Sequence, residues 1–91
     1  TVLIVDDEPE ILDLIEDEFK YQGYDTLKAS CGNDAIEILK NNTIDLVVSD
    51  FKMANGNGMA VLAFVSTMPK KPYFFFVSGS IIFILKADKY C

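Results

Sequence analysis

The chain has 91 residues, 51% hydrophobic and 24% charged, enough for one compact domain with a small core and too apolar for wholesale disorder. Its 8 basic residues, all Lys, face 14 acids for a net charge of −6, which disfavours direct binding to a nucleic-acid backbone. His is absent and the 2 cysteines, Cys31 and Cys91, lack metal or redox spacing, so zinc sites and His-based acid–base catalysis are excluded.

Val2-Leu3-Ile4-Val5 is a continuous apolar run ending in paired carboxylates, the pattern of a strand buried on both faces. Pro9 suits the first turn of a helix, where its missing N–H costs nothing. Ile11, Leu14, Ile15 and Phe19 predict one apolar stripe, with Asp13, Glu16 and Asp17 toward water and Gly23 as the stop. Tyr24–Ala29 reads as a second strand. Asn33 is placed to cap a helix through Ala35, Ile36 and Leu39 to Lys40, closed by Asn41-Asn42. Ile44–Ser49 repeats the first pattern and again ends in an acid, Asp50. A loop with Gly56 and Gly58 leads to a helix over Met59–Thr67 with Val61, Leu62 and Val65 inward. Pro69 and Pro72 bracket a turn, Lys70-Lys71 reads as its solvated part, and Tyr73–Val77 is a fourth strand with Phe74-Phe75-Phe76 in the core. Ile81–Leu85 is apolar all round and fits helix or strand equally.

The alternation predicts a parallel sheet with helices on both faces, whose site lies at the carboxyl ends of the strands. Asp6, Asp7, Asp50 and Ser78 all fall there. The tract Tyr73–Leu85 is too short, and too broken by Ser78-Gly79-Ser80, to span a bilayer. With a strand-like run at Thr1 and no leader-like stretch, a cytoplasmic, reducing setting is expected.

If the first and third strands are neighbours, Asp6, Asp7 and Asp50 converge. Like charges that close raise each other's pKa and call for a cation or a shared proton. Oxygen donors with spare water positions suit Mg²⁺ better than a Ca²⁺ cage. A carboxylate beside such an ion is also a nucleophile toward phosphorus. The bland alternative is helix capping, which Asp7 or Glu8 before Pro9 can perform alone.

Val2-Leu3-Ile4-Val5-Asp6-Asp7-Glu8-Pro9, then Asp50-Phe51-Lys52-Met53 with Gly58, then Phe76-Val77-Ser78-Gly79, resemble a response-regulator receiver domain over nearly the whole chain. The resemblance implies a flavodoxin-like doubly wound parallel sheet of strand order 2-1-3-4-5, here lacking the C-terminal helix. It implies a phosphorelay module rather than a metabolic enzyme, one that catalyses only its own phosphotransfer and dephosphorylation. Asp50 matches the phosphoacceptor, supplied by a sensor histidine kinase or phosphotransfer protein. Asp7 matches a direct Mg²⁺ ligand, Asp6 a partner acting mainly through water, and Lys52 a ligand through its backbone carbonyl. Ser78 matches the hydroxyl that hydrogen-bonds the phosphoryl group, and Tyr90 the aromatic switch. Lys52 and Ser80 match the positions that tune dephosphorylation. The output domain or target protein is unknown, and no nucleic-acid or membrane partner is implied.

The sequence departs from that pattern in three ways. Ala54 stands where the family usually has Pro. The stretch from Ser78 to Ala87 is too short for the family's fourth helix. Ending at Cys91, before the family's Lys-Pro, residues 1–91 read as a single receiver domain that is C-terminally incomplete, whose exposed apolar sheet invites association into a dimer. The rival readings are a degenerate receiver acting as a phosphorylation-independent interaction module and a small phosphohydrolase with an aspartyl intermediate. The phosphohydrolase needs two Asp spaced two apart after the first strand, where this chain has Asp6-Asp7-Glu8.

Overall fold

The computed structural model describes residues 1–50, 58–78 and 81–86. In chain order these form β1 (Val2–Val5), α1 (Pro9–Tyr21), β2 (Thr26–Ala29), α2 (Gly32–Asn41), β3 (Leu46–Asp50), α3 (Gly58–Ser66), β4 (Tyr73–Ser78) and β5 (Ile81–Lys86). One sheet of order β2-β1-β3-β4-β5 runs through the molecule. β2, β1, β3 and β4 are parallel, with Val5 level with Ala29 on one side and Ser49 on the other, and Asp50 level with Val77.

β1 is buried along its whole length, and its alternation divides the core. Leu3 and Val5 join Val47, Phe74 and Phe76 beneath α2 and α3, where Ala35, Leu39, Val61 and Val65 close over them. Val2 and Ile4 join Val48 on the opposite face, under Leu12, Ile15 and Phe19 of α1. Burial of side chains of this size is worth about 1.5–3 kcal/mol each, so the strand with two covered faces anchors the fold.

The stripe on α1 differs from the sequence expectation. Leu14 is 67% exposed, whereas Leu12 is buried. The inward arc is Leu12, Ile15 and Phe19, and Leu14 lies outside it. Glu16 is not turned to water either. Its carboxylate accepts from the Thr26 hydroxyl at 3.1 Å and meets Lys28 Nζ at 3.2 Å, which ties α1 to β2.

Gly23 does end α1, with φ +93, a backbone region that favours glycine. The Tyr24 N–H returns to the Phe19 carbonyl and the Gly23 N–H to that of Lys20, both at 3.0 Å, and the Phe19 and Tyr24 rings pack edge to face. Because Tyr24 is consumed by this cap, β2 begins at Thr26 and not at Tyr24. At α2 the cap is Cys31 rather than Asn33: its Sγ accepts the Asp34 N–H at 3.5 Å.

β5 takes the edge position expected of a fifth strand but runs antiparallel to β4, with Ser78 level with Ile81 and Tyr73 with Lys86. Only residues 79 and 80 join the two strands. A parallel neighbour needs a crossover of about a dozen residues or more, while an antiparallel one needs only a hairpin. The short link noted in the sequence therefore decides the direction of the strand.

Candidate functional site

The site is built from strand ends. β1 and β3 lie side by side in register, so the residues that follow Val5 and Ser49 emerge together at the carboxyl edge. Ile4 and Val48 face α1, and strand alternation puts Asp6 and Asp50 on that same side. Ligand oxygens of Asp6, Asp7 and Asp50 lie within 4.8 Å of one another.

The three acids occupy different surroundings. Asp6 is 4% exposed, Asp50 is half-buried and Asp7 is exposed. The Asp6 N–H donates to the Ala29 carbonyl at 3.1 Å, extending the β1–β2 ladder by one residue. Asp6 Oδ1 accepts the Glu8 N–H at 2.9 Å, just before α1 begins. One carboxylate oxygen is thus committed to the backbone turn and the other is left for the cluster.

Burial pushes the Asp6 carboxyl above the usual carboxylate range. The Glu8 N–H opposes that shift, and the negative charges of Asp50, Asp7 and Glu8 add to it. A cation placed among the three carboxylates would oppose both the burial cost and the like charges that bear on Asp6. The site's donors are hard oxygens on two strand ends and one following turn, which fits Mg²⁺ chemistry.

Ser78 is the last residue of β4, one position beyond the level of Asp50 and at the same sheet edge. Lys52, Ser80 and Tyr90, named from the sequence, lie outside the described residues. The sequence reading passed over Ser49. It is wholly buried and its hydroxyl donates to the Asp50 carbonyl at 2.9 Å. The available signal was a hydroxyl residue at an inward strand position directly before the third acid.

Among the described residues no helix is long and apolar enough to cross a membrane. Residues 2–84 match the family described as response regulator receiver domain. Response regulator SaeR of Staphylococcus aureus (strain USA300) is 39% identical over 61 residues, covering 67% of this chain and 26% of that protein. The chain thus spans about a quarter of the length of the curated relatives it matches. A crystal structure of response regulator TrrA from Thermotoga maritima, in complex with Mg²⁺-BeF, superposes with a TM-score of 0.76 at 30% identity, covering 80% of this chain and 64% of that one. The receiver domain of hybrid histidine kinase CckA gives 0.79 at 30% identity, covering 86% and 74%. With the four parallel strands in the order 2-1-3-4 and the acids gathered at their carboxyl ends, the chain belongs to the response regulator receiver domain family, the signalling domain of two-component systems.

Proposed function

We propose that this chain is a phosphoacceptor receiver, phosphorylated on Asp50 by a histidine kinase or phosphotransfer protein in the cytoplasm. The observation that carries the reading is the approach of the Asp6, Asp7 and Asp50 oxygens to within 4.8 Å of one another. TrrA, with Mg²⁺-BeF bound, supports it by likeness.

In this reading Asp7, Asp50 and the Lys52 carbonyl would hold Mg²⁺ directly, and Asp6, one of whose oxygens accepts the Glu8 N–H, would act mainly through water, as the family resemblance implies. When bound, the ion supplies charge neutralisation around a transferring phosphoryl group. A carboxylate oxygen of Asp50 attacks phosphorus as the phosphorus–nitrogen bond of the donor phosphohistidine breaks. The electron pair leaves with the imidazole and the phosphoryl group stays on Asp50. Half-burial leaves Asp50 open to an incoming donor, while its strand fixes its position. Ser78 hydrogen-bonds the phosphoryl oxygens and Tyr90 follows it as the switch. Lys52 and Ser80 set how long the phosphoryl group survives. The added charge of about −1.5 to −2 then biases partner binding.

Intact-protein mass spectrometry after incubation with acetyl phosphate tests the reading. The expected result is a single phosphoryl-sized gain that requires Mg²⁺ and is absent from Asp50→Asn. No gain overturns it and leaves a phosphorylation-independent interaction module, and a gain that persists in Asp50→Asn overturns Asp50 as the acceptor.

A further inference from the structure

A serine stands in the core beside the acidic site. Ser49 is 0% exposed. It is level with Val5 on β1 and Phe76 on β4, both buried, and shares their face of the sheet. Valine would bury more apolar surface there and suits a central strand better. A hydroxyl in such a place costs free energy unless it is paired. Its partner is the main-chain carbonyl of Asp50, which accepts from Ser49 Oγ at 2.9 Å.

That bond lies across the sheet from the acids. Successive strand residues project to opposite faces, so the Asp50 side chain stands on the α1 side with Asp6, and Ser49 stands on the side of α2 and α3. The hydroxyl therefore grips the same residue from behind. Holding that carbonyl restrains the main chain of Asp50, from which the carboxylate projects.

We infer that Ser49 is a positioning residue: its hydroxyl holds the Asp50 carbonyl and so fixes the carboxylate for a cation and for phosphoryl acceptance, the latter resting on the phosphoacceptor reading above. The hydroxyl is retained at the expense of a better-packing residue because the geometry of Asp50 depends on it.

The test compares Ser49→Thr with Ser49→Val in the full chain. Both give the same β-branched shape, threonine keeping the hydroxyl and valine replacing it with a second methyl group. Three quantities are read: Mg²⁺ affinity by titration calorimetry, phosphorylation rate with acetyl phosphate at saturating Mg²⁺, and melting temperature. Threonine is expected to stay near the parent. Valine is expected to lose about fivefold in Mg²⁺ affinity and in rate, the worth of one ordinary hydrogen bond, while melting no lower than threonine. Where valine does not fold, Ser49→Ala takes its place against the parent with the same expected loss. Equal affinity and rate for the paired variants overturn the positioning role and leave the phosphoacceptor reading intact. A parent that is never phosphorylated, with Mg²⁺ affinity that still falls in valine alone, overturns the phosphoacceptor reading and upholds the positioning role. A parent that neither binds Mg²⁺ nor is phosphorylated overturns both.

Discussion

Asp6 and Asp7 are adjacent in sequence and physically unlike. One is buried, bonded to the Glu8 N–H and pushed up in pKa by its burial; the other is exposed. Both were legible as site candidates because a third acid, Asp50, ends another buried strand. Glu16 was not legible, since its helical spacing gave no sign that β2 would bring Lys28 and Thr26 beside it. Burial opposes its charge, but hydrogen bonds from Lys28 and Thr26 and the nearby Lys20 prevail and hold its carboxyl below the usual 4.5. A carboxyl lowered on folding contributes stability above its unfolded value, and that stability is lost as pH falls through the folded one. Glu16→Gln is therefore expected to lower the melting temperature by a few degrees at neutral pH, with parent and variant converging below about pH 4. Thermal melts across that range check it, and a constant difference at every pH would show that the loss is packing rather than charge.

At the scale of elements, helices and parallel strands followed from periodicity and punctuation, because each carries its own signal in residues a few positions apart. Pro9 opened α1 and Gly23 closed it. β5 carried no such signal, since Ile81–Leu85 is apolar at every position. Its strand state and its direction come from β4 and the two-residue link. Antiparallel pairing brings α-protons of facing residues close in non-hydrogen-bonded pairs, which parallel pairing does not. Cross-strand Hα–Hα nuclear Overhauser effects are accordingly expected at alternate facing pairs along Tyr73–Ser78 and Ile81–Lys86. Their absence, with β4 and β5 otherwise strand-like, would reject the hairpin.

At the scale of the whole molecule, a chain of net charge −6 gathers three acids at one edge of its sheet. Charged carboxylates so close oppose folding by mutual repulsion, and on the proposed reading a cation bound only to the folded state adds stability by mass action. Mg²⁺ at a hundredfold excess over its dissociation constant is expected to add about 2.7 kcal/mol, with a smaller gain in Asp50→Asn. Differential scanning calorimetry with and without Mg²⁺ measures this, and a melt indifferent to the ion removes it from the reading.

The sequence by itself determined the order of elements through β4, the two-sided burial of β1 and the acids that end β1 and β3, because these depend on neighbours along the chain. It also determined the family, since the motifs keep their order and spacing across most of the residues. Tertiary structure decided the rest. It set the convergence of Asp6, Asp7 and Asp50, the tie from Glu16 to Lys28, the grip of Ser49 on Asp50 and the direction of β5. Each of these is a relation between segments, fixed only once the sheet has chosen which strands lie side by side and which face each residue presents.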